Sequence, residues 1–136
     1  MPRLLLDTCA IIFIAENQAI DPSARREVIA ASTSDGVLVS AVSAWEIGLL
    51  AKKRGFAFLP DPKTWFNDFL ANPGVRLTPL TPDIAIESSL LPAPLHSDPA
   101  DRLLIATARA VGVPMITRDH RILAYAQVGH VSAISC

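Results

Sequence analysis

The chain has little of what usually marks a sequence for a particular chemistry. It carries only two cysteines, Cys9 and Cys136, one near each end. Two thiols without motif spacing give neither a disulfide framework nor a zinc signature, so a reducing, cytoplasmic setting is expected. The three histidines, His96, His120 and His130, show no ligand spacing among themselves, so no soft-metal cluster competes for a cation. Apolar runs such as CAIIFIA from Cys9 fall far short of the roughly 20 residues that span a bilayer. The start, MPRLLLD, meets an aspartate too soon to read as a signal peptide. A net charge of −1 gives no global attraction to nucleic acid, and a polyanionic partner needs a local basic patch or a bound cation. Internal repeats, low-complexity segments and linkers are missing too, and no membrane partner is expected.

What is present suits a compact α/β chain. With 136 residues, 51% hydrophobic and 18% charged, residues 1–136 are expected to form one domain with a real core. LLLD (4–7) reads as a buried strand ending on an acid, and CAIIFIAEN as a helix leading away from it. DPSARREVIAASTSDG has a proline behind Asp21 and a glycine at its end, the start and stop signals of a helix. VLVS (37–40) is the next strand, followed by SAWEIGLLAKKRG, a helix from a capping serine to a basic last turn. DPKTWFNDFLANPG repeats that pattern; VRLTPL reads as strand or extended segment and PDIAIESSLL as a helix. DPADRLLIATARAVG, apolar nearly all round, is expected to be central and buried. VPMIT, DHRILAYA and HVSAI read as strand, short helix and last strand. Short, uniformly apolar strands alternating with helices imply a parallel sheet covered on both faces.

In such a sheet, ligands bind beyond the carboxyl ends of the strands, where helix N-termini also point. Asp7, Glu46, Asp98, Asp101 and Asp119 all fall at such places. Each has an ordinary explanation as a helix cap or a dipole-favoured acid. SAWE (43–46) is a formal capping box with Ser43 as cap, and DPAD is another, with Asp98 as cap, Pro99 at the first helical position and Asp101 reaching back. Taken together the acids point elsewhere, because crowding negative charge at one sheet edge is costly unless a cation neutralises it or some acids stay protonated. Hard divalent ions favour carboxylate oxygen, and Mg²⁺ typically uses a few carboxylates and keeps several waters. Such a cluster, holding one or two ions, suits phosphodiester hydrolysis. His96 and His120 lie beside the acids and are candidates for supporting or phosphate contacts.

LLLDT, SAVSAWEI, HSDPADRLLIATA and MITRD, in that order and spacing over nearly the whole chain, resemble PIN-domain ribonucleases. The likeness is greatest to the VapC-type toxins of toxin–antitoxin pairs. The resemblance implies a three-layer α/β/α sandwich with a central parallel sheet. The activity it implies is Mg²⁺- or Mn²⁺-dependent endonucleolytic cleavage of RNA to 5′-phosphate and 3′-hydroxyl ends. It assigns catalytic roles to Asp7, Glu46, Asp101 and Asp119. Metal binding would fall to Asp7, Asp101 and Asp119, with Asp98 sharing in the H-x-D-P-x-D-R subgroup. Thr8, Ser43 and Thr117 would orient acids or waters. A homodimer and a cognate VapB-type antitoxin are implied as partners. Cys9 and Ala100 depart from common family residues without removing an acid.

For RNA, Arg102, Arg118 and Arg121 adjoin proposed ligands, and Lys52, Lys53 and Arg54 end the Glu46 helix. A solvated helix end explains the lysines equally well, and a salt bridge within the domain explains Arg102. The stretch around Trp45, Trp65 and Phe66 reads as core, with a protein interface as the alternative. Three other enzyme folds fit less well. RNase H-like nucleases begin with consecutive antiparallel strands, a haloacid dehalogenase-like phosphatase wants an acid where Cys9 stands, and a receiver domain wants an acidic pair before its first helix. An interaction module whose acids are only caps is the non-enzymatic rival.

Overall fold

The computed structural model describes residues 2–53 and 57–136. Its sheet has five strands, β1 (Leu4–Leu6), β2 (Val37–Ser40), β3 (Val75–Thr78), β4 (Met115–Thr117) and β5 (Ala133–Ser135), in the order β3-β2-β1-β4-β5. Every strand pair is parallel. The helices α1 (Thr8–Ala15) and α2 (Pro22–Ser32) link β1 to β2. Then come α3 (Ala41–Lys52), α4 (Pro62–Leu70), α5 (Pro82–Ser89), α6 (Pro99–Val111) and α7 (His120–Gln127). An RNase H-like start is excluded, since two helices separate the first two strands and those strands pair in parallel.

The alternation of a pleated strand produces the layers. Leu4 and Leu6 of β1 face one core with Ile11 of α1, Ala24 and Ala31 of α2, and Phe66 and Phe69 of α4. Leu5 faces the other, with Ile84 of α5, Leu104 and Ile105 of α6, and Ile122 and Tyr125 of α7. The result is the expected three-layer α/β/α sandwich. The inner strands β1, β2 and β4 are buried at every position, whereas the edge strand β3 leaves Arg76 and Leu77 exposed. The long α6 is buried from Leu104 to Ala108, but Arg109 and Ala110 are exposed, so its apolar character is not complete. Gly112 ends it in a left-handed conformation, φ +77°, which glycine adopts without a Cβ clash.

One helix start differs from the sequence reading. The cap of α3 is Ser40, the last residue of β2, whose hydroxyl accepts from Val42 N at 3.0 Å. Ser43 lies inside the first turn, fully buried, and Glu46 falls in the second turn. A serine at the strand end can cap at once, so strand passes into helix with no loop between them. No helix among the described residues is long and apolar enough to cross a membrane.

Candidate active site

Asp7, Glu46, Asp98, Asp101 and Asp119 line one cavity of about 430 Å³ at the carboxyl edge of the sheet, together with Arg118 and Arg121. The local backbone explains the convergence. β1 ends into α1 at Asp7, β2 ends into α3 below Glu46, and β4 ends two residues before Asp119. The first turn of α6 enters from the side with Asp98 and Asp101.

Asp7 is 5% exposed and caps α1, accepting from Thr8 N at 2.8 Å. Its other oxygen accepts from the Thr117 hydroxyl at 2.6 Å and the Cys9 thiol at 3.6 Å. Burial pushes its carboxyl above the usual range; the Thr117 and Thr8 bonds oppose that shift, and the Asp119 charge adds to it. Thr117, fully buried, also accepts from Asp119 N at 3.0 Å, so one hydroxyl links two acids.

Glu46 Oε1 lies 2.5 Å from the Thr8 hydroxyl, which is 2.9 Å from the Ser43 hydroxyl. Each hydroxyl has one proton. When Thr8 donates to the carboxylate, Ser43 must donate to Thr8, and the pair forms a directed relay onto Glu46. Burial, then the charges of Asp7, Asp101 and Asp98, raise the Glu46 carboxyl to about 7, against the bond from Thr8.

The DPAD capping box is only half formed. Asp98 Oδ1 accepts from Asp101 N at 3.0 Å and caps α6. Asp101 does not reach back. Its Oδ2 lies 2.7 Å from His96 Nε2 and 3.5 Å from the Arg121 guanidinium. Burial raises the Asp101 carboxyl, opposed by His96 and reinforced by Asp7, Asp98 and Asp119. Asp119 caps α7 and lies 3.2 Å from Arg121. Burial pushes it up, but the bonds from Arg121 and the helix N–H groups outweigh burial and hold it below the usual range.

The cations divide. Arg118 and Arg121 border the cavity, although Arg118 also donates to the carbonyls of Ala19 and Cys136 and stacks 4.1 Å over Phe13. Arg102 does not line the cavity and donates to the carbonyls of Ser88 and His96, backbone oxygens where the alternative to an RNA contact was a salt bridge. Lys52 and Lys53 are exposed beyond the cavity lining, as is His120; Arg54 lies outside the described residues. Phe66 is core and Trp65 is half-buried, with its Nε1 on Glu16 at 3.1 Å. Trp45, at 51% exposure, is on the surface. Nothing in the spacing of Cys9 and Cys136, near opposite ends of the chain, signals that the two thiols meet. Their shared hydrogen bond and burial raise the Cys9 thiol.

A model of the family described as PIN domain matches residues 4–128. The chain belongs to the PIN-domain family. Among curated relatives, Ribonuclease VapC22 of Mycobacterium tuberculosis (strain ATCC 25618 / H37Rv) is 30% identical over 123 residues, covering 90% of this chain and 91% of that protein. Among solved structures, VapBC2 from Rickettsia felis, bound to a promoter DNA fragment, superposes with a TM-score of 0.71 at 11% identity, over 97% of each chain. DNA-bound VapBC from Salmonella typhimurium gives 0.65 at 18% identity, covering 99% of this chain and 98% of that one. At these identities the two structures show a shared fold.

The donor set of this PIN-domain chain fits a hard divalent cation. It is all carboxylate oxygen, with two members buried and mutually repelling, an arrangement that a cation relieves. As they stand, no three acid, histidine or cysteine side chains among the described residues are gathered tightly enough to hold an ion. Arg121 reaches both Asp101 and Asp119 instead.

Proposed function

We propose that the chain is a metal-dependent endoribonuclease toxin of a toxin–antitoxin pair, acting as one nuclease domain over residues 1–136. The observation that carries this reading is the one cavity that five carboxylates line, three of them, Asp7, Glu46 and Asp101, with pKa values raised by burial without enough positive charge to compensate. Asp7, Asp101 and Asp119 would hold one or two Mg²⁺ or Mn²⁺ ions, with Asp98 sharing in that role while it caps α6. When bound, the cation neutralises the carboxylates and the phosphodiester and makes water more acidic.

The chain's own groups supply the rest. Thr117 fixes Asp7 and the backbone before Asp119 through one hydroxyl. Thr8, backed by Ser43, holds Glu46 by one oxygen at the cavity that Glu46 lines. A carboxyl near 7 is suited to exchange a proton at neutral pH, so Glu46 is the group placed to take a proton from the attacking water. Water oxygen adds to phosphorus as its proton passes to Glu46, the P–O3′ bond breaks, and the 3′ oxygen takes a proton from solvent, giving 5′-phosphate and 3′-hydroxyl ends. Arg118 and Arg121 at the rim would meet the RNA backbone. Lys52 and Lys53, at the end of α3, are exposed outside the cavity lining and would reach only a longer RNA.

The similarity to Ribonuclease VapC22 and to VapBC assemblies supports a VapB-type antitoxin as partner; a homodimer acting in the cytoplasm is part of the same proposal. An apolar groove between α3 and α4, lined by Ile47, Phe66, Leu70 and Leu77, with Trp45 and Leu49 exposed nearby, is the kind of surface a protein partner covers. The deciding experiment is cleavage of RNA by the purified chain with Mg²⁺ or Mn²⁺, with chelator, and for Asp7→Asn. Cleavage that survives chelation or the substitution overturns the mechanism.

A further inference from the structure

We propose that His96 is a positioning residue for Asp101, holding that carboxylate in the orientation in which it meets a divalent cation. The proposal rests on the metal-dependent nuclease reading and adds to it a residue outside the cavity lining.

His96 and Asp101 are 15% and 10% exposed at their side chains, and Nε2 lies 2.7 Å from Oδ2. The other ring nitrogen, Nδ1, is buried with no partner among the described residues. Buried polar atoms nearly always find partners, and a histidine that served only packing or the loop would be free to satisfy both nitrogens. Here one is left without a bond while the other is committed to a candidate ligand. Broken local rules of this kind concentrate at functional sites.

The surrounding loop does not need the ring. Its backbone is held through Arg102, which donates from Nη1 to His96 O at 3.2 Å and from Nε to Ser88 O at 2.9 Å, tying the end of α5 and the loop to α6. Asp98 sets the start of α6 by accepting from Asp101 N. Arg102 thus fixes the backbone and Asp98 the helix start, and the His96 ring is left with Asp101 as its polar contact. Against an ionised Asp101, Nε2 carries the proton and donates it. Oδ2 is then fixed, and Oδ1 is left as the oxygen available to a cation in the cavity that Asp101 lines. Hydrogen-bond partners of metal ligands orient them in this way.

The test is Mn²⁺ binding to the full chain, by calorimetry and by electron paramagnetic resonance, for wild type, His96→Leu and His96→Gln. Leucine removes the donor, and the glutamine amide nitrogen can take the place of Nε2. Loss of the donor is expected to weaken Mn²⁺ about 10- to 100-fold, with glutamine returning it to within about threefold of wild type. Metal-free thermal unfolding should be alike for the two variants. Wild-type affinity in His96→Leu, or equal loss in both folded variants, overturns the proposal. A second measurement needs no variant. In ¹⁵N spectra of the wild-type imidazoles, His96 should carry its proton on Nε2 and its signal should move as Mg²⁺ binds. A proton on Nδ1, or a signal unmoved at saturating Mg²⁺, overturns the proposal. If wild type neither binds Mn²⁺ nor cleaves RNA, the nuclease reading falls and this proposal with it. If wild type and His96→Leu both bind and cleave normally, only the role of His96 falls.

Discussion

Asp7 and Asp61 hold the same backbone post and live in opposite electrostatic conditions. Both are helix caps, Asp7 for α1 and Asp61 for α4. Asp61 stands in solvent and accepts from Thr64 N at 2.9 Å and the Thr64 hydroxyl at 2.8 Å. The Thr64 N–H, followed by its hydroxyl, holds the Asp61 carboxyl below its usual range. Asp7 receives one helix N–H and a threonine hydroxyl, yet burial raises it. A cap that serves only folding is a charge the fold welcomes. A cap whose charge the fold resists, beside other acids, is held for a ligand. Asp119 lies between them, lowered only because Arg121 and helix N–H groups outweigh its burial.

The sharpest break in this comparison should come from removing each charge in turn. Asp7→Asn is expected to reduce RNA cleavage by roughly 10²- to 10⁴-fold, the rate equivalent of losing several kcal/mol of charge stabilisation. Its metal-free stability should equal or exceed that of wild type, because a resisted charge is gone. Single-turnover cleavage and thermal unfolding in chelator read the two effects. A strongly destabilised Asp7→Asn would make Asp7 a folding cap like Asp61.

The next effect is on pH dependence. Glu46 has a carboxyl near 7 when folded, against 4.5 as its ordinary value. Between those values the folded chain binds more protons than the unfolded one, so metal-free stability falls as pH rises through the window and levels off above it. Burial of Asp7 and Asp101 acts in the same direction. Discounted for solvent reaching this half-buried group, the Glu46 share is about 1–2 kcal/mol. Glu46→Gln in chelator should therefore be more stable than wild type at pH 8, and the gain should shrink towards pH 5. A gain independent of pH would assign the effect to packing.

The sequence made the order of elements legible because its strands are short, apolar and separated by helix signals. The proline behind each of Asp21, Asp61, Thr81 and Asp98 marks a helix start that the structure contains. The SAWE box misled because the rule is local. Ser43 fits the pattern, but Ser40 reaches the helix first, at the end of a strand that the parallel sheet had already placed. The convergence of the acids could be argued from strand ends, since topology fixes which edge they share. Pairings across the chain could not. That Thr8 meets Glu46, that Asp101 turns to His96 instead of its own helix start, and that Arg102 is bound to carbonyls all depend on packing that no spacing encodes.

A smaller change should follow from the folding cap itself. Asp61→Ala removes a side chain that satisfies α4 and touches nothing in the cavity. The expected loss is roughly 2–5 °C in Tm, with RNA cleavage and Mn²⁺ affinity unchanged. A drop in cleavage at a temperature where the variant is folded would place Asp61 in the chemistry and remove the distinction drawn from it.

The smallest effect concerns Arg121, which sets Asp119 apart from Asp7. Its guanidinium lies 3.2 Å from Asp119 and 3.5 Å from Asp101, so without metal it partly neutralises the carboxylates that a cation would use. Arg121 is exposed, and solvent weakens its hold. Arg121→Ala should tighten Mn²⁺ binding without RNA by roughly two- to fivefold, the scale of a surface ion pair. With RNA the sign should reverse. An arginine released from the carboxylates meets a phosphate, so the variant should bind RNA more weakly and lower the salt dependence of binding by about one counterion. An unchanged Mn²⁺ affinity would mean that Arg121 does not compete with the cation for Asp119 and Asp101, and that its contacts with them are only surface ion pairs. Opposite shifts for metal and RNA would mean that the chain carries its own counter-ion for the metal-free carboxylates and passes it to the substrate when the metal arrives.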